Sequence, residues 1–282
     1  MPLDSPPPGR VLGVDLDHTL ICYDRVLPRL IESMGFASAL PARGGGGRTK
    51  TEMRDAIRRL PEGEVTWQRI QARLYGQELV HAEPFPGALA ALRRLGRAGW
   101  TVHVVSHKTR FPRREPRVDL RAAALDWLGS HRFFDPDGAG LNPAHVHFAG
   151  SREAKVRRVR QLGCEVFIDD LPETFAEPEF PSAACRALLF SPAGGTPPGG
   201  LEILRGWTGF DPGPEPEIRE LARRFPNELG GALESAEPLG GGRNSRVLRL
   251  RLAGGERLVA KRYALRGPDR LDPQEVERRA LD

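Results

Sequence analysis

Short apolar runs, rich in β-branched residues and each ending on a polar cluster, constrain this chain most. Val11–Val14 runs into Asp15-Leu16-Asp17, Thr101–Val105 into Ser106-His107-Lys108, and Val166–Ile168 into Asp169-Asp170. Val146–Phe148 and Ala187–Phe190 are further runs of this kind. Runs this short and this uniformly apolar read as strands buried on both faces. The segments between them carry helical spacing, as in Val118 to Leu128 and in Glu153 to Leu162, which closes on Gly163. Strands alternating with helices predict an α/β fold with a doubly wound parallel sheet. In such a sheet ligands bind beyond the carboxyl ends of the strands. Asp15, Asp17, Ser106, Lys108, Asp169 and Asp170 all fall at those ends.

From Ile21 to Glu83 the pattern is helical instead, with Val26/Leu27/Leu30/Ile31/Met34 and Met53/Ile57/Leu60 on apolar faces. Gly44 to Gly47 divides it, and Pro86-Gly87 opens a helix that Gly96 and Gly99 are expected to close. Beyond Phe190 the composition turns to proline and glycine. The expected organisation is therefore a main domain over 10–210 with an insertion at about 22–83, a linker over 211–230, and a small module over 231–282. In that module Arg246–Leu252, Gly254-Gly255 and Arg257–Tyr263 read as a β-hairpin, and Pro273 to Asp282 as helical.

The three cysteines lie at separated positions, which fits neither a metal knuckle nor a disulfide framework and points to a reducing, cytoplasmic setting. No apolar stretch approaches the roughly 18 residues of a membrane helix. The net charge of +5 comes from arginines dispersed among glutamates, so no nucleic-acid partner is expected. Lysine is the scarcer and more informative cation. Only Lys50, Lys108, Lys155 and Lys261 occur, and all but Lys50 lie in recognisable motifs.

An ionised carboxylate can attack phosphorus and split a difficult displacement into two steps, provided a second group moves the proton. On an extended segment Asp15 and Asp17 share a face and suit this pairing. Carboxylates facing a phosphate repel it unless Mg²⁺ on hard oxygen ligands intervenes. An acidic pair at another strand end, a hydroxyl (Ser106) and an ammonium (Lys155 or Lys108) complete such a site.

Val11-Leu-Gly-Val-Asp15-Leu-Asp17-His-Thr19-Leu resembles the first motif of the haloacid-dehalogenase-like (HAD) hydrolases. Val102–Ser106 resembles the second motif, Lys155 is placed like the third, and Val166–Asp170 resembles the acidic fourth. The resemblance implies a Mg²⁺-dependent phosphatase of Rossmann-like fold acting on a small phosphorylated substrate. Asp15 would be nucleophile and Asp17 acid/base. Ser106, Thr19 and Lys155 or Lys108 would bind phosphate, and Asp15, Asp17 through its backbone carbonyl and the Asp169/Asp170 pair would hold the metal. Residues 22–83 would be the cap that selects the substrate.

Leu239-Gly240-Gly241-Gly242 between strands, Lys261 on the following strand and Glu277 beyond it resemble the N-terminal lobe of aminoglycoside-phosphotransferase-like kinases. That resemblance implies a nucleotide site. The rest of a kinase does not follow before Asp282, so kinase activity is not expected from this chain alone. The alternatives to a phosphatase are such a phosphotransferase completed by a lobe beyond this chain, a binding module on the same fold, or a nucleic-acid end-processing enzyme.

Overall fold

The computed structural model describes residues 10–41, 49–195, 197–212, 233–240, 245–252 and 254–263. The chain divides into two compact units, Met1–Phe210 and Asp211–Asp282.

In the first unit, β1 (Val11–Val14) is paired in parallel with β4 (Thr101–His107) and β6 (Val166–Asp169). The sheet continues through β5 (Val146–Ala149) on one side, and through β7 (Arg186–Phe190) and β8 (Glu202–Leu204) on the other. All pairings are parallel, and the order is β5-β4-β1-β6-β7-β8. Strand β8 lies in the proline- and glycine-rich stretch and had no apolar run to announce it.

Alternate residues of β6 enter different cores, as the period of two requires. Val166 and Ile168 pack with α4 (Ala88–Arg97) and α5 (Leu120–Ser130), whereas Phe167 packs with α6 (Arg152–Gln161). Both faces of the sheet are thus covered, which makes it doubly wound. Helix α4 runs through Gly96, contrary to the expected stop there. It ends at Ala98, where Gly99 takes a left-handed φ of 85°. Gly96 carries no such backbone demand and meets nothing that a side chain would strike, so it costs the helix only propensity.

The helical insertion leaves the sheet through β2 (Ile21–Cys22) and returns through β3 (Glu83–Pro84), which pair antiparallel with each other. Between them lie α1 (Val26–Ser33), α2 (Lys50–Arg58) and α3 (Gly63–Leu74). Their apolar stripes bury Leu30, Ile57, Trp67 and Ile70 in the same core as β1. Gly44 to Gly47 lies outside the described residues. Helix α2 opens with a reciprocal capping box, in which Thr49 accepts from the Glu52 amide and Glu52 from the Thr49 amide.

In the second unit β9 (Leu233–Gly240), β10 (Ser245–Leu252) and β11 (Arg257–Tyr263) form an antiparallel sheet in the order β11-β10-β9. Leu250, Leu252 and Leu258 are buried there. The helical reading over 273–282 lies outside the described residues. No described helix is long and apolar enough to cross a membrane.

Candidate active site

The order in which strands are added reverses at β1, with β4 and β5 to one side and β6 to β8 to the other. A crevice opens beyond the strand ends at such a switch point. Asp15 follows β1 and its amide donates to the Ile168 carbonyl at 2.8 Å, which ties the first motif to the strand carrying Asp169. The chain then turns: Leu20 and Ile21 amides both reach the Leu16 carbonyl, and His18 is held at a φ of 61°. Asp17, two residues beyond Asp15, lies within this turn in a β-bridge with Ile21. Both line one cavity of about 380 Å³. A larger cavity, about 580 Å³, lies against β2 and β3 and includes none of these carboxylates.

Asp15, Asp169 and Asp170 each offer an oxygen within 4.8 Å of the other two. Lys155, three residues into α6 and buried, donates to Asp15 Oδ1 at 2.5 Å and lies 2.7 Å from Asp169 Oδ2. Helix α6 is aimed there by Ser151, whose hydroxyl accepts from the Ala154 amide. Lys108 sits 2.7 Å from Asp17 Oδ2, and Tyr23 donates to Asp17 Oδ1 at 2.6 Å. Lys50, from the insertion, donates to Asp170 Oδ2 at 3.0 Å. Each carboxylate of the cluster thus faces an ammonium.

Burial pushes Asp15 up to about 8. Lys155 opposes this, while Asp169, Asp170 and Asp17 add to it. Burial raises Asp170 as well, against Lys50. Burial works to lower Lys155 and Lys50, but their carboxylate partners outweigh it, and both are held above the ordinary lysine value. Desolvation, with Lys50 and Lys108 adding to it, drops His18 well below the ordinary histidine value, so its ring is neutral. Burial, then the charge of Asp17, pushes the Tyr23 phenol well up, so it keeps its proton for the bond to Asp17.

Oxygen-only donors suit a hard cation. The buried Asp169 Oδ2 has, among the described residues, the Lys155 ammonium at 2.7 Å as its partner, leaving lone-pair capacity for a cation. Three clustered carboxylates with such an oxygen fit Mg²⁺, with Asp15, Asp169 and Asp170 as the side chains to hold it. Asp17, expected to reach the metal through its backbone carbonyl, has its carboxylate engaged by Tyr23 and Lys108.

Ser106, at 1% exposure, lines the cavity beside Lys108 and Lys155. Thr19 does not line it: the residue is fully buried, its hydroxyl has no partner among the described residues, and its carbonyl accepts from Trp207 Nε1 at 2.9 Å. In the second unit Gly240 ends β9, and Lys261 on β11 is paired in register with Val247 on β10. Gly241, Gly242 and Glu277 lie outside the described residues.

Sequence reasoning passed over Lys50, Tyr23, Tyr75 and Trp207. Lysine scarcity was a usable signal for Lys50, since three of the four lysines meet at this site. Tyr75 and Trp207 gave no local signal, because each reaches the first motif only through tertiary packing.

No protein-family model matches the chain, and no curated protein matches it. It is similar to solved structures of HAD hydrolases. The one from Ehrlichia chaffeensis is 13% identical, covers 78% of this chain and 98% of its own, and has a TM-score of 0.36. That from Xanthomonas campestris is 15% identical over 76% and 96%, with a TM-score of 0.40. One from Bacillus subtilis, bound to magnesium, is 11% identical over 71% and 96%, at 0.42. Likeness at this level carries no residue roles from those proteins to this chain.

Proposed function

We propose that residues 10–210 form a Mg²⁺-dependent, HAD-like phosphohydrolase that cleaves a phosphomonoester through a phosphoryl-Asp15 intermediate. The observation that carries this reading is the convergence of Asp15, Asp169 and Asp170 around Lys155 at the switch point of the sheet. In the first step an Asp15 oxygen forms a bond to phosphorus as the bond to the leaving oxygen breaks, and Asp17 delivers the proton that the leaving alkoxide needs. In the second, water attacks the phosphoryl group, Asp17 takes its proton, inorganic phosphate departs and Asp15 is restored. Lys155 and Ser106 hold the transferring oxygens, where buried donors act most strongly. Bound Mg²⁺ supplies positive charge that keeps the carboxylates ionised and lessens their repulsion of phosphate. The helical insertion covers the site as a cap and excludes water.

The test is a panel of phosphomonoesters assayed in Mg²⁺. Asp15→Asn is expected to lower turnover on the order of 10³-fold or more, as loss of a nucleophile does, with its melting temperature maintained. Hydrolysis at the wild-type rate by Asp15→Asn would remove Asp15 as nucleophile. Chelation with EDTA is expected to abolish turnover, and full activity in metal-free buffer would contradict the Mg²⁺ assignment.

A further inference from the structure

Two side chains hold the Asp17 carboxylate, one on each oxygen. The Tyr23 hydroxyl donates to Oδ1 at 2.6 Å, and the Lys108 ammonium stands 2.7 Å from Oδ2. Together they fix the plane of the carboxylate as well as its place, because turning it about the Cβ–Cγ bond would break both contacts. The Asp17 side chain keeps 15% exposure and lines the cavity, whereas Tyr23 is fully buried and does not line it. Tyr23 can therefore reach the reacting atoms only through Asp17.

The phenol is itself held in place. Tyr23 follows β2 directly, and its carbonyl accepts the Val26 and Leu27 amides at the opening of α1. Its ring lies 4.7 Å from His18, in the turn after Asp17, and meets Tyr75 edge-on at 5.5 Å. Tyr75 comes from the C-terminal end of α3, and its ring also sits 4.8 Å beneath the Lys108 ammonium. Packing of this kind calls for an aromatic ring at position 23, which phenylalanine would supply as well. The hydroxyl adds nothing to it. A buried phenol oxygen needs a partner, and the printed geometry gives it the acid/base of the proposed reaction.

Resting on the phosphoryl-transfer reading, we infer that Tyr23 is a positioning residue for proton transfer: its hydroxyl, with Lys108 on the other oxygen, sets the Asp17 carboxyl in the orientation from which it protonates the leaving oxygen. As the bond from phosphorus to that oxygen breaks, the electron pair stays on oxygen and the Asp17 proton joins it, which leaves Asp17 as a carboxylate still accepting from Tyr23. An alkoxide needs that proton in order to depart. A nitrophenolate leaves as a stable anion and does not. Tyr23 thus serves substrates with poor leaving groups and is dispensable for those with good ones.

The test compares kcat/KM in Mg²⁺ for an alkyl phosphate that wild type hydrolyses and for p-nitrophenyl phosphate. This ratio covers the steps up to departure of the leaving group and leaves out hydrolysis of phosphoryl-Asp15, which both substrates share. Tyr23→Phe keeps the ring and its contacts with His18 and Tyr75, so its melting temperature is expected to stay close to wild type. It is expected to lower kcat/KM for the alkyl phosphate about tenfold, as loss of a hydrogen bond to a charged group does, and for p-nitrophenyl phosphate by no more than about twofold. In an Asp17→Asn background the same substitution should have no further effect on the alkyl phosphate, because the two residues act as one unit. A merely structural role would lower both substrates alike. Equal losses on the two, no loss on the alkyl phosphate, or a further loss of about tenfold beyond that of Asp17→Asn overturns the assignment and leaves the phosphatase reading intact. Should wild type hydrolyse no phosphomonoester, the phosphatase reading falls and this inference with it.

Discussion

Lys155 carries more of the electrostatic balance than any other side chain of the site. It compensates Asp15 and Asp169 together, and both are buried with it. Removing one member of a buried charge cluster leaves the rest without compensation, so Lys155→Met is expected to cost roughly 3–5 kcal/mol of stability. Urea unfolding in metal-free buffer measures it. Added Mg²⁺ should return part of the loss by replacing the missing charge among the same carboxylates. A variant as stable as wild type would show that the cluster does not depend on this lysine. Trp207 acts on the same motif from outside, donating to the Thr19 carbonyl in a buried setting. Trp207→Phe keeps most of the apolar volume but leaves that carbonyl without its donor, at a cost of about 1–3 kcal/mol. A melting temperature equal to wild type would discount the bond.

Among the elements, β1 and β6 are packed closely enough to limit what β1 can carry. A Cβ at Gly13 would lie 2.7 Å from Phe167 Cδ2 and 2.9 Å from Cys164 Sγ. Gly13→Ala is therefore expected to destabilise by about 1–3 kcal/mol through overpacking, which denaturant titration would read. The sheet edge formed by β4 and β5 holds a different feature. His103 Nδ1 lies 3.0 Å from His147 Nε2, with the His145 ring tilted against His103 at 4.2 Å and Arg158 on the far side of His147. Burial, then His145, His147 and Arg158, lowers His103 from 6.5 to about 4. The folded state then binds fewer protons than the unfolded state between those values. The stabilisation from a neutral His103 is thus complete above pH ~6.5 and is lost as pH falls towards about 4. His103→Leu should flatten the stability profile over that window relative to wild type. Parallel profiles for the two proteins would assign the pH dependence to other groups.

At the scale of the molecule, every side chain placed at the candidate site lies within Met1–Phe210, one of the two compact units. A chain ending at Phe210 is expected to keep its phosphatase turnover and its melting transition, because the motifs from Asp15 to Asp170 all lie in that one unit. A loss of turnover without unfolding would show that residues 211–282 complete or regulate the site.

The carboxylates at the ends of β1 and β6, Ser106 at the end of β4, and the parallel doubly wound sheet were all legible in the order of residues. A strand buried on both faces needs an uninterrupted apolar run, and the polar residue that stops the run marks the strand end. Helices α1 and α2 declared themselves in the same way, through the spacing of their apolar stripes. Strand β8 did not, because a three-residue edge strand needs no such run. Nor did the pairing of ammonium with carboxylate. Lys50 meets Asp170, Lys108 meets Asp17, and Lys155 bridges Asp15 and Asp169 across separations of up to 140 residues. Ion pairs of this kind follow from where helices and turns deliver the ends of long side chains, and no local periodicity encodes that. The contacts of Asp17 with Tyr23 and Lys108, beside the turn at His18, likewise exist only in the folded chain. Local pattern specified which groups reach the crevice; only the folded chain settled which of them touch.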